Sequence, residues 1–182
     1  MRRFGPIGPV VLALVVSAAP AATAAEPVFL RLKIQGAEVK GDVTLKGVEG
    51  MIECLSYEQE VASPIGPTGT ATGRHQYQPI KITKRIDQAS PQLIKALSQN
   101  AVVEAEFHFY RVMQTGQVQQ FYTVEIKQAR VVSIKQTNPD RLVPATANLP
   151  PLEEVSFAFA TIKWTHAQGG SHEDSVAGAA IR

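Results

Sequence analysis

Cysteine is almost absent from this chain: Cys54 stands alone in 182 residues. An internal disulfide is excluded, and the spacing of a zinc ribbon is missing too. The fold must be held by its core, which about 150 residues can do without covalent staples. Long apolar runs are scarce. Residues 10–16 (VVLALVV) form one, far short of the ~20 residues a membrane-spanning helix needs. No glycine-rich phosphate loop or Walker motif occurs. There is no internal repeat and no sign of a second domain.

Excess charge is missing as well. The chain has 18 Lys+Arg against 16 Asp+Glu. Residues 1–25 have the three parts of a secretory leader: basic Arg2 and Arg3, the apolar run 10–16, and small residues at Ala22-Thr23-Ala24-Ala25. Cleavage is expected between Ala25 and Glu26. Loss of Arg2 and Arg3 leaves 16 basic and 16 acidic residues, a formal net charge of zero. A nucleic-acid binder needs a cation surplus to displace phosphate counterions, so that partner class is not expected. Zero net charge instead removes a barrier to self-association.

What is present is strand pattern. Residues 28–34 (VFLRLKI) alternate, with Val28, Leu30, Leu32 and Ile34 on one face, as in a half-buried strand. Residues 36–50 read as a loop with a short segment at 43–45, and residues 51–61 as a second strand. Cys54 lies in that strand and is expected to be buried and inert. Residues 62–75 are rich in turn formers and read as a long loop. Such loops in compact domains are usually functional or mobile.

Residues 78–111 read as strand, turn, short helix, turn, strand. Ser90-Pro91 is a helix start, with a capping hydroxyl and a proline in the first turn. Leu93, Ile94 and Leu97 form an apolar stripe, and Asn100 is a stop. From Val103 the period becomes two. Residues 101–112 and 119–127 are expected to form a hairpin around Gln114-Thr115-Gly116. Residues 129–136 give a further strand, 137–149 a second long loop, and 153–165 a final strand with a bulge near Ala160-Thr161. Residues 169–182 are expected to be a flexible tail. The fold class is therefore mainly β. We expect a small barrel of six to eight strands with one short α-helix packed beside it, spanning 26–168.

Thr83-Lys84, Ile86-Asp87, Ala89-Ser90-Pro91 and Leu93 fill the pattern TK-x-ID-x-(A/S)SP-x-L. Ala105-Glu106-Phe107-His108-Phe109-Tyr110 fills AEF-x-(F/W)Y. In this order they resemble the haemolysin-coregulated protein (Hcp) family, the tube protein of type VI secretion systems. Residues 27–33, 51–57, 73–79 and 152–165 resemble other strands and the end of an extended loop in that family. The resemblance implies an Hcp-like, phage-tail-tube-like barrel that forms homohexameric rings stacking into a hollow conduit. It implies effector proteins in the lumen and sheath and spike components as partners, with no enzyme activity and no cofactor. The family's extended loop helps to join rings. Its place here is taken by Ala62-Ser63-Pro64-Ile65-Gly66-Pro67-Thr68-Gly69-Thr70-Ala71-Thr72-Gly73-Arg74-His75.

The leader departs from the family pattern, whose members leave the cytoplasm through the machine they build. It points to an exported relative, secreted or periplasmic. If the leader is a mis-called start, the chain is cytoplasmic and then secreted through a type VI apparatus. The alternative to a tube subunit is a monomeric secreted or periplasmic β-barrel binding module.

Chemistry-bearing residues are few. Glu104, Glu106 and His108 share one strand face and could bind a metal or exchange protons, but alternation alone predicts an exposed polar face there. His166, His172, Glu173 and Asp174 sit on the glycine-rich tail and are expected to be solvated. Ser171, His172 and Asp174 resemble a triad only in letters. Trp164, Phe157 and Phe159 are expected in the core.

Overall fold

The computed structural model of the chain describes residues 26–113 and 117–176. The Ala25 cleavage point and the Gln114-Thr115-Gly116 turn lie outside these residues. Alternation places the first strand, β1 (Val28–Ile34), with Leu30 and Leu32 fully buried. Its other face was expected to meet solvent, but Phe29 does not. Residues 41–51 close on themselves through Gly41–Gly50 and Val43–Met51 backbone bonds. This cover packs Val48 and Met51 against Phe29, beside Tyr110. β1 turns through Gln35-Gly36, both at positive φ, into β2 (Ala37–Val39), where a loop was expected. Two left-handed residues in a two-residue connection match the twist of a hairpin.

Residues 51–61 do not form one strand. β3 (Ile52–Cys54) pairs with β1, and the chain changes partner at Leu55. β4 (Ser56–Glu58) then pairs with β7 (Ile80–Arg85). β5 (Val61–Ala62) and β6 (Gln76–Tyr77) pair with each other and leave the body as a ribbon.

The helix α1 (Ser90–Ser98) forms where expected, with Pro91 in its first turn. Its start differs: Ala89 occupies the N-cap and no side chain caps it. Asp87 Oδ1 instead accepts the Ala89 N–H at 2.9 Å. The Ser90 hydroxyl points inward. Asn100 stops the helix as expected, at φ 50°. Asn100 N–H bonds Leu97 O and Ala101 N–H bonds Ala96 O, at 3.2 and 2.9 Å. These are the paired bonds of a Schellman end. The buried face is Ser90, Leu93 and Ala96. Ile94, assigned to the inner stripe, is 42% exposed.

β8 (Val103–Val112) pairs with β1 and with β9 (Val118–Thr137). β9 merges the two strands expected at 119–127 and 129–136, with Gln128 at φ 49° between them. Its first half pairs with β11 (Thr161–His166), its second with β10 (Leu152–Ala158). The break expected near residue 160 thus separates two strands that pair with different halves of β9. It carries the parity change from Val155 and Phe157 to Ile162, all fully buried. The expected flexible tail is partly strand: β12 (Ser171–Ser175) pairs with β11.

The order β2-β1-β8-β9-β10-β7-β4 curls round the core, and β3 returns to β1. The body is a barrel completed by the chain at Leu55 rather than by a closed ladder. It has more strands than the six to eight expected, because several are short segments of two or three residues. α1 buries Leu93 and Ala96 in the same core as Leu30, Ile80, Phe107 and Phe157.

Candidate assembly surface

The turn-rich segment expected to be a structureless loop is a hydrogen-bonded arm. Val61 and Ala62 pair with Tyr77 and Gln76 at its root. Further out, Thr72 N–H bonds Pro64 O at 2.9 Å, and Ile65 bridges Ala71. Gly66 N–H bonds Thr70 O, and Gly69 N–H returns to Gly66 O, both at 2.9 Å. Gly69 sits at φ +77°, a left-handed position that favours glycine at this tip. Between Thr72 and Gln76, the three residues Gly73, Arg74 and His75 lie opposite Ser63 alone, so the ribbon bends there. Residues 61–76 are exposed except half-buried Gly66. Ile65 near the tip is 71% exposed.

The root of the arm is tied to β12. Asp174 Oδ2 lies 2.6 Å from His75 Nε2 and accepts the Tyr77 hydroxyl at 2.8 Å. Asp174 Oδ1 accepts the Ser175 N–H at 2.8 Å. The bond from Tyr77, with that from His75, holds the Asp174 carboxyl below the usual aspartate range. Burial, with the hydrogen bond to Asp174, pushes the Tyr77 phenol up to about 12. The Tyr77 ring meets Phe159 edge-on and tilts against Trp164, with centroids 5.6 and 6.1 Å away. Trp164 stacks on His172 at 5.8 Å and donates its indole N–H to Gln59 Oε1. Asp174, expected to be solvated, is therefore half-buried as the seat of the arm, while His172 stays exposed as expected.

A second polar cluster lies inside the barrel. Ile80, Ile82 and Lys84 share the inward face of β7, as Glu153, Val155 and Phe157 share that of β10. Lys84 and Glu153 are register partners, and Gln136 of β9 is the next residue in the row. Ser90 Oγ lies 3.2 Å from the Lys84 ammonium, whose three protons find three closer acceptors. These are Glu153 Oε1, Asp87 Oδ1 and Arg85 O, at 2.6, 2.7 and 2.8 Å. Ser90 donates to Glu153 Oε1 and accepts the Asp87 N–H. Gln136 donates to Glu153 Oε2. Burial would raise the Glu153 carboxyl, but the bonds from Gln136, Lys84 and Ser90 and the Lys84 charge hold it below its ordinary range. The residues of the TK-x-ID-x-(A/S)SP pattern thus converge: Lys84 and Ser90 hold the β10 glutamate, and Asp87 holds Lys84. Shared inward parity was the signal available in the sequence, and periodicity reasoning restricted to apolar residues passed over it.

Other candidates are separate. Glu104, Glu106 and His108 do share a face, and Arg31 Nη1 lies 3.8 Å from Glu106. His108 is not exposed as expected; it is buried, with Nε2 3.3 Å from Glu106. Among the described residues, no group of three or more His, Cys, Asp or Glu is placed to hold a metal. Cys54 is buried, and burial pushes its thiol up to about 12 against the opposing Lys84 charge. Phe157 and Phe159 are core residues, with Trp164 half-buried against them. Among the described residues no helix is long and apolar enough to cross a membrane.

This arrangement of curled sheet and one flanking helix matches solved Hcp structures. An Hcp crystal structure, 22% identical, superposes with a TM-score of 0.76 over 83% of this chain and 98% of the other. Hcp1 from E. coli EAEC 042, solved as a double mutant, is 32% identical, with a TM-score of 0.74 over 83% and 99%. The family model described as "Type VI secretion system effector, Hcp" matches residues 31–166. The major exported protein of Pseudomonas aeruginosa is 32% identical over 133 residues, 72% of this chain and 77% of that protein. The chain belongs to the Hcp family of type VI secretion proteins.

Proposed function

We propose that this chain is a self-assembling tube subunit, forming homohexameric rings that stack into a hollow conduit. The observation that carries the reading is the arm. A hydrogen-bonded ribbon of exposed residues, with Ile65 near its tip, projects from the body of an Hcp-family chain. Ordered backbone without apolar anchorage of its own suits a segment that completes its packing against another copy. Lateral contact has support too. β2 and β12 are each paired on one side only among the described residues. Exposed strand edges are hazardous unless another chain covers them, and a head-to-tail contact that closes generates a ring.

The leader belongs to this reading as an exported variant of the class, cleaved between Ala25 and Glu26. The Pseudomonas relative is named as an exported protein, which supports export as the shared destination. Effectors in the lumen and sheath and spike components are the partners that the tube would meet. Light scattering of the purified mature protein tests the reading. A mass of six copies is expected. A monomer at high concentration would overturn it in favour of a lone β-barrel binding module.

A further inference from the structure

The arm can join rings only if its tip arrives at one place. Between the root pair Ala62–Gln76 and the Ile65–Ala71 bridge the ribbon runs about four residues, or roughly 13 Å at 3.3 Å per residue. A swing of about 20° at the root would move the tip by roughly 5 Å, beyond the tolerance of any hydrogen bond. No buried residue of the arm resists that swing, since residues 61–76 are exposed or, at Gly66, half-buried. The ribbon also bends at residues 73–75, where three residues oppose one and the ladder is interrupted.

That weak point is where the clasp sits. His75 is the last residue of the bend and Tyr77 lies two residues on, at the root. Both reach the same oxygen of Asp174, at 2.6 and 2.8 Å, across almost a hundred residues of sequence. The Ser175 N–H fixes the other oxygen, so the carboxylate cannot turn away freely. Tyr77 is braced in turn by Phe159 and Trp164. We propose that Asp174 is a positioning residue for ring stacking: it locks the bend of the arm and so aims its tip at the neighbouring ring. The proposal rests on the reading of the arm as the stacking element.

The test compares Asp174→Ala, Asp174→Asn and Tyr77→Phe with a variant whose residues 64–72 are replaced by a short Gly/Ser linker. Hydrogen exchange of the peptide spanning 61–77 reads the clasp, and electron microscopy counts stacked rings. In Asp174→Ala the ribbon amides should exchange at least tenfold faster, and single rings should persist while stacks shorten or vanish. Tyr77→Phe keeps the packing on Phe159 and Trp164, so a smaller change in the same direction is expected. Asp174→Asn keeps an acceptor oxygen and should restore part of both signals. Unchanged exchange in Asp174→Ala overturns the clasp. Faster exchange with stacks of wild-type length overturns the positioning role while leaving the arm's role intact. Stacking by the linker variant overturns the underlying reading, and the positioning role with it.

Discussion

The Lys84 ammonium lies 2.6 Å from Glu153 Oε1, and neither side chain meets solvent. Two neighbouring strands of the barrel wall thus place opposite charges at inward positions otherwise held by isoleucine, valine and phenylalanine. Burying either charge alone costs several kcal/mol, and the pair survives because the Lys84 protons and both Glu153 oxygens are engaged. Lys84→Met should therefore destabilise the barrel by about 3–5 kcal/mol in urea unfolding, by stranding Glu153. Lys84→Met with Glu153→Leu should recover only part of this, since Asp87, Ser90 and Gln136 would lose their partner. A loss below about 1 kcal/mol in the single variant would contradict this account.

The same row sets an acid limit. The folded Glu153 carboxyl lies below its ordinary range, so its contribution is fully present above the unfolded value of about 4.3 and fades as pH falls through the folded one. Glu153→Gln should flatten the fall of melting temperature below about pH 4, compared with the wild-type chain.

Much of this architecture is legible in the chain. β1 has the expected ends because its alternation is uninterrupted, and Asn100 stops α1 because it tolerates the left-handed conformation. What escaped is what depends on remote partners. Phe29 reads as exposed until residues 41–51 fold over it. Ser90 reads as a cap until Glu153 arrives from β10 and accepts its hydroxyl hydrogen bond. Residues 51–61 look like one strand because the change of partner at Leu55 leaves no mark in hydrophobic period. The arm reads as structureless because prolines and glycines signal turns, and its cross-ribbon bonds are made by backbone alone. Asp174 sat in a polar stretch whose value is set by Tyr77 and His75, almost a hundred residues earlier.

Cys54 should resist chemistry in the folded protein. Its thiol is buried and pushed up to about 12, so almost no thiolate exists at pH 8. A thiol-reactive dye should label the native protein at least a hundredfold more slowly than the urea-unfolded chain. Fast labelling of the native protein would place this thiol in a mobile or exposed site.

The leader should be removed between Ala25 and Glu26, with an end after Ala24 as the nearest alternative. Small residues at Thr23 and Ala25 suit the peptidase, and strand β1 begins at Val28, three residues past the cut. N-terminal sequencing of protein from the periplasm or medium should begin at Glu26. Material from there that still carries Met1 would show that no leader is removed.

Replacing residues 64–72 by a short Gly/Ser linker should leave the barrel and the single ring intact while abolishing tube growth. The replaced residues are exposed or, at Gly66, half-buried, and Ile65 gives its apolar surface to solvent rather than to the core. Their removal therefore deletes almost no buried area, and the urea midpoint should shift by less than about 0.5 kcal/mol equivalent. The root strands β5 and β6 and the Asp174 clasp remain. Electron microscopy should show rings of normal diameter that do not stack. A variant that fails to fold would mean that the arm stabilises the barrel. Tubes of normal length would mean that rings are joined by another surface.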